Sequence, residues 1–192
     1  MSAIIDLEAR ESDAESLAAR VVDALIEDGI LDPEQDPESI LGGEGGYRPG
    51  PKISTLYQLD NDESSFCELA TNGLELETKP WVNVYGMPCF EHFTCPKCDA
   101  KFEMDDPFSD EFLSTTVGEF YEGNSSVSAE CPSCEQTSTV REWKATPHLG
   151  FCNLAFIFWN WPPFDSAGWK SNVPQRISEI LGHKVATTYG RL

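Results

Sequence analysis

The chain has 192 residues, 40% hydrophobic and 11% aromatic, which excludes a disordered polymer and suffices for a core without metals or disulfides. Thirteen Lys and Arg stand against 33 Asp and Glu, a formal net charge of -20, which disfavours nucleic-acid phosphates and anionic membranes as partners and suits basic ones. The longest apolar run, Leu154 to Trp159, is too short to span a bilayer.

The charge is uneven. Residues 1–50 carry 13 acids and 3 bases, residues 51–150 carry 18 and 6, and residues 151–192 carry 2 and 4. The acidic surface therefore belongs to the first three quarters of the sequence. The opening MSAIIDLEARESD has no basic n-region and no apolar h-region, so no signal peptide is read there, and a reducing cytoplasm is the expected compartment.

Residues 12–28 predict an amphipathic helix. Leu17, Val21 and Leu25 recur at spacing of four beside Val22 and Ile26, Ser12 and Glu15 suggest a capping box, and Gly29 marks the stop. Ile30 and Leu31 are expected to pack back onto that face. Residues 32–52 read as a Gly/Pro-rich loop. A phosphate-binding role is disfavoured there because the Gly-Lys-Ser/Thr ending is missing and Glu44 would repel phosphate. Residues 53–90 read as strands and turns: ISTLYQL is β-favouring, Asn72-Gly73 is a two-residue hairpin signal, and WVNVYGM alternates loosely.

Residues 104–113, MDDPFSDEFL, form an acidic insert, either a loop or a short helix after Pro107. VREW from Val140 reads as strand. In FCNLAFIFWNW, Leu154, Phe156 and Phe158 face one way and Ala155, Ile157 and Trp159 the other, which predicts a strand covered on both sides. Residues 172–181 predict a short helix with Asn172 as N-cap and Gly182 at its stop, and KVATTYGRL a final edge strand.

The seven cysteines are Cys67, Cys89, Cys95, Cys98, Cys131, Cys134 and Cys152, an odd count that does not suit a simple disulfide framework. Cys95-Pro-Lys-Cys98 and Cys131-Pro-Ser-Cys134 are the informative ones. A two-residue gap lets both thiolates of one tight turn reach one metal, and two such turns side by side give a tetrahedral all-sulfur site that suits Zn2+. A redox Cys-x-x-Cys normally opens a helix, whereas strand-like residues follow both of these pairs. Four thiolates also close the metal to water, which argues for a structural ion over a catalytic one.

These two knuckles and their flanks, residues 92–143, resemble a zinc ribbon. The resemblance covers about a quarter of the sequence, with a longer separation between the pairs than usual, and the acidic insert accounts for the excess. It implies a bound Zn2+ held by Cys95, Cys98, Cys131 and Cys134 and no particular function, because zinc ribbons serve many. The remainder resembles uncharacterised bacterial proteins without assigned activity.

Other residues are weighed against blander roles. Cys89 and His92, with Glu91 between them, either flank the metal turn, serve as replacement ligands or contribute to a second site. His148 and Cys152 form either a nucleophilic pair or, for Cys152, a buried small residue. Cys67 reads as core, His183 as exposed or capping carbonyls, and Asp105-Asp106 as surface charge. The seven aromatics between Phe151 and Trp169 read as core, with an exposed partner patch as the alternative.

The expected fold is α+β: one domain over 1–192 with a mainly antiparallel sheet, N-terminal and short C-terminal helices, and the ribbon inserted at 92–143. The expected function is a zinc-stabilised, acidic protein-interaction module for a basic partner, inhibitor- or immunity-like, with no nucleic acid and no membrane. An enzyme using His148, Cys152 or carboxylates near residues 42–50 is the second reading, and a nucleic-acid-associated zinc ribbon is the third.

Overall fold

The N-terminal residues Ser2–Asp6 form a strand, β1, in which all five residues are buried. The computed structural model describes residues 1–41, 45–57, 64–82, 91–146 and 149–190. In chain order, β1 is followed by α1 (Ala14–Glu27), β2 (Leu31–Asp36), β3 (Gly46–Pro49), α2 (Ile53–Leu56), β4 (Leu74–Glu77) and β5 (Trp81–Val82). Then come β6 (His92–Thr94), β7 (Lys101–Glu103), α3 (Pro107–Glu111), a π-helical turn (Phe112–Val117) and α4 (Gly118–Tyr121). The chain closes with β8 (Ser128–Glu130), β9 (Thr137–Thr139), β10 (Lys144–Thr146), β11 (Phe151–Cys152), β12 (Ala155–Phe158), α5 (Val173–Leu181) and β13 (Val185–Tyr189). This is an α+β fold.

Its frame is a six-stranded sheet in the order β13-β1-β12-β4-β3-β2, antiparallel at every pairing. β12 lies at its centre, paired with β1 from Ser2↔Phe158 to Ile5↔Ala155 and with β4 from Ala155↔Glu77 to Phe158↔Leu74. The predicted two-sided strand is realised residue for residue. Leu154, Phe156 and Phe158 join Ile4 and Leu74 under α1 and α5 in the largest core cluster. Ala155, Ile157 and Trp159 join Ala3, Ile5, Ile40, Trp81 and Cys152 on the opposite side. A separate apolar cluster holds the β6–β7 and β8–β9 hairpins and the α3–α4 segment together.

α1 buries Ala14, Ala18, Val21, Val22 and Leu25 and stops at Gly29, whose φ of 72° suits glycine. Ile30 and Leu31 pack back as expected. The capping box does not form. The helix begins after a 3-10 turn at Glu11–Asp13, and the Ser12 hydroxyl turns to the Asp13 carboxylate at 3.0 Å. α5 follows its sequence signals: Asn172 Oδ1 accepts the Gln175 N–H at 3.0 Å and Gly182 ends the helix at φ 73°.

Several readings are overturned. Within the supposed loop 32–52, β2 and β3 pair from Leu31↔Pro49 to Asp36↔Gly46. β2 is an edge strand, where Pro33 and the acids Asp32, Glu34 and Asp36 are tolerated because they need only one hydrogen-bonding partner. Gly46 is there for close approach: a Cβ would lie 2.5 Å from Ile40 and 2.6 Å from the Leu74 carbonyl. ISTLYQL supplies the short helix α2, not a strand. Asn72-Gly73 makes no hairpin. Asn72 is buried, donating to the Phe66 carbonyl at 2.7 Å, and Gly73 leaves room for Ser39, whose carbonyl accepts its N–H at 2.7 Å. VREW begins as a 3-10 turn, Val140–Glu142. WVNVYGM beyond Trp81–Val82 lies outside the described residues.

Candidate metal centre

Two antiparallel hairpins build the site. β6 and β7 pair from His92↔Glu103 to Thr94↔Lys101, so residues 95–100 form the connecting turn; β8 and β9 pair from Ser128↔Thr139 to Glu130↔Thr137, leaving 131–136. The two turns are hydrogen-bonded alike. Cys95 N–H donates to the Ala100 carbonyl at 2.9 Å and Asp99 N–H to the Cys95 carbonyl at 3.1 Å; Cys131 N–H donates to Gln136 at 3.0 Å and Glu135 N–H to Cys131 at 2.8 Å. Asp99 and Glu135, each following the second cysteine, take left-handed φ values of 56° and 58°. That conformation is uncommon outside glycine and is tolerated best by Asn and Asp. β10 adds to β6 through Lys144↔Thr94 and Thr146↔His92, which completes a three-stranded sheet beside the two-stranded one.

The structure brings Cys95, Cys98, Cys131 and Cys134 together. All four Sγ atoms lie within 4.8 Å of one another, with Cys98 to Cys131 at 3.8 Å and Cys95 to Cys134 at 4.0 Å. A metal with sulfur bonds of about 2.3 Å in tetrahedral array sets its sulfurs roughly 3.8 Å apart, so the donor set fits such an ion. Cys95 and Cys131 are buried, Cys134 half-buried and Cys98 exposed. Among the described residues this is the one group of three or more potential ligands at such distances.

The electrostatics point the same way. Burial opposes ionisation of Cys95, but the N–H groups of Lys97 and Cys98 and the neighbouring thiols outweigh it and draw its pKa down to about 7. The Gln136 N–H favours the Cys134 thiolate, but burial and the three other sulfurs prevail and push it up to about 12. Without a cation, the Cys95 thiolate is favoured at the expense of Cys134. A divalent ion would relieve that competition.

The clip is braced from outside. Lys97 in the first turn pairs with Glu142 at 3.1 Å, and the other Glu142 oxygen accepts the Thr139 N–H at 3.0 Å in a capping box. Thr139-x-x-Glu142 was the sequence signal for that turn. Beside it, the Arg141 guanidinium lies 5.2 Å from the Phe120 ring centroid and donates to Asn153 Oδ1 at 2.5 Å, while Asn153 Nδ2 donates to the Ala9 carbonyl at 3.0 Å. This chain of contacts joins the ribbon to the start of the large sheet.

Comparison with protein families, curated proteins and solved structures finds no match to this chain.

The remaining candidates fall elsewhere. Cys89 and His148 lie outside the described residues. His92 sits on β6 with Nε2 at 3.4 Å from the Thr146 hydroxyl, apart from the four sulfurs. Cys152 is buried, donates to the Trp81 carbonyl at 3.8 Å, and is pushed up to about 12 by burial, an inert thiol at neutral pH. Burial, with Glu68 adding to it, also raises Cys67, which packs against the main core. Asp106 is more than surface charge: its carboxylate accepts the Phe108 N–H at 2.8 Å and caps α3. His183 neither caps a carbonyl nor stands free, since its Nδ1 lies 2.8 Å from the buried Asp6 carboxylate. A cavity of about 290 Å³ lies between Gly45, Tyr47, Leu74 and Glu75. It meets the 42–50 segment and one carboxylate, but not Cys152. The Glu75 carboxylate is engaged by the Trp159 indole N–H at 2.6 Å. Among the described residues, no helix is long and apolar enough to cross a membrane.

Proposed function

We propose that Cys95, Cys98, Cys131 and Cys134 bind one structural Zn2+ in a zinc-ribbon-like clip, and that the clip presents an acidic helical segment to a basic protein partner. The observation that carries the metal is the set of four sulfurs within 4.8 Å of one another, two pairs of them at 3.8 and 4.0 Å. A softer, all-thiolate set favours zinc over magnesium or calcium, and four sulfurs leave no coordination position for water.

The interaction role draws on residues 107–121, between the two knuckles. Of the two expected forms, a loop or a short helix after Pro107, the segment takes the helical one and runs on to Tyr121. Phe112, Val117 and Phe120 bury its inner side in the ribbon cluster, while Asp110, Glu111, Glu119 and Glu122 are exposed along it. The clip thereby carries a helical segment with exposed carboxylates, the kind of surface an inhibitor- or immunity-like protein presents to a basic enzyme. Replacing Asp105, Asp110 and Glu111 by Asn or Gln, with the Asp106 cap kept, is expected to abolish recovery of a basic partner from the native cell. Unchanged recovery would contradict the role.

A nucleic-acid reading rests on one row of residues: Lys144, Thr94 and Lys101 stand in register across the exposed ribbon sheet. Glu103 stands in the next row, and the whole chain carries -20, so the basic-protein reading is preferred. Tight, salt-sensitive binding of single-stranded DNA or RNA would reverse that preference.

A further inference from the structure

We propose that the outer edge of β13 is a homodimer interface, on which a second copy of this chain adds its own β13 antiparallel about a two-fold axis at Thr187. Among the described residues, the two edges of the large sheet are β2 and β13, and they differ in kind. β2 carries Pro33, three acids and a register shift between Leu31 and Gln35, all devices that discourage further pairing. β13, Val-Ala-Thr-Thr-Tyr, has an unbroken register with β1 from Ser2↔Tyr189 to Asp6↔Val185 and contains no proline, acid or bulge.

Backbone parity sets the geometry. Lys184 O accepts the Leu7 N–H at 3.1 Å, and Met1 and Gly190 exchange bonds of 2.7 and 3.0 Å, so residues 184, 186, 188 and 190 turn their polar groups toward β1. Val185, Thr187 and Tyr189 therefore turn theirs outward. A two-fold at Thr187 makes Thr187 face its counterpart and sets Val185 opposite Tyr189 of the second copy. All three outward residues of each strand then exchange bonds, about six in total. The same axis gives β-branched–aromatic and Thr–Thr cross-strand pairs, which stabilise antiparallel sheets.

Charge favours a second copy here. Two chains of -20 repel almost everywhere, yet residues 180–192 hold no acid. Asp165 lies near Tyr189 at one end of the strand, and Lys184 is exposed at the other. The two-fold sets the Lys184 end of each strand beside the Asp165 end of the other.

The proposal is independent of the metal and of a basic partner, and it has an opposite salt signature. Screening relieves repulsion between like-charged copies, so the homodimer tightens with salt, whereas an acid–base complex weakens. The test is sedimentation equilibrium of the full chain at roughly 0.05 and 0.5 M salt, with Thr187→Pro and Thr187→Glu. The proline removes only an outward N–H and no bond to β1; the glutamate sets two carboxylates face to face at the axis. The expected result is a reversible dimer that tightens at high salt and is weakened at least about tenfold by both variants, with circular dichroism unchanged. If Thr187→Pro loses its fold, Thr187→Glu alone decides. A wild-type monomer at both salt levels, or a dimer that neither variant weakens, would overturn the proposal.

Discussion

Asp6 shows how an acidic chain keeps a carboxylate in its interior. The side chain is wholly buried, yet Oδ1 accepts the N–H groups of Glu8 and Ala9 at 2.8 and 2.9 Å, and Oδ2 meets His183 at 2.8 Å. Asp6→Ala would orphan all three donors and is expected to cost about 3 kcal/mol in chemical unfolding. Glu75 and Glu77 are the opposite case. Burial raises both pKa values, the Trp159 N–H offsets part of it for Glu75, and Glu75 adds to it for Glu77. A carboxyl raised in the folded state binds protons more readily there than in the unfolded chain. Stability is therefore unaffected below the ordinary carboxyl range and falls as pH rises through it. Glu77→Gln is expected to raise the thermal midpoint by a few degrees near pH 7 and by almost nothing near pH 4. A larger gain at the acid end would show that the side chain is stabilising as a carboxylate.

At the scale of elements, the helical segment 107–121 ties the two knuckles to an aromatic floor. Phe112 packs at 4.8 Å from Phe93 and 5.2 Å from Trp143, centroid to centroid. Phe112→Ala is expected to cost about 3–5 kcal/mol and to melt the ribbon before the large sheet, which amide exchange would resolve by segment. Elements written in local patterns were legible in the sequence. The knuckles, the Asn172–Gly182 helix and the alternation from Leu154 to Trp159 each carry their signals within a few residues. What could not be read depends on distant partners. β1 holds two Ile in a short run, and its identity as a central strand comes from Phe158 and Tyr189. β2 looks like a loop because an edge strand tolerates Pro33 and acids, and Gly73 mimics a hairpin turn while serving the approach of Ser39. Asp6 and His183, 177 residues apart, had no sequence signal to join them.

For the whole molecule, the ribbon and sheet are coupled through Arg141, which burial makes easier to deprotonate and which Asn153 and Phe120 hold in place. Arg141→Ala is expected to destabilise the fold by about 2–3 kcal/mol and to increase amide exchange at Glu8 and Ala9 as well as in the ribbon. Loss confined to the ribbon would mean that the two parts are held together by other contacts. The central claim is that a closed four-thiolate zinc site is the scaffold on which the acidic helix stands. Its most direct test is metal content and X-ray absorption on protein purified without added metal, beside Cys131→Ser. The account predicts about one zinc per chain with four sulfur neighbours at about 2.3 Å, and a Cys131→Ser chain that loses the ion and several kcal/mol of stability. A metal-free wild type of full stability, or a Cys131→Ser chain with unchanged zinc, would contradict it.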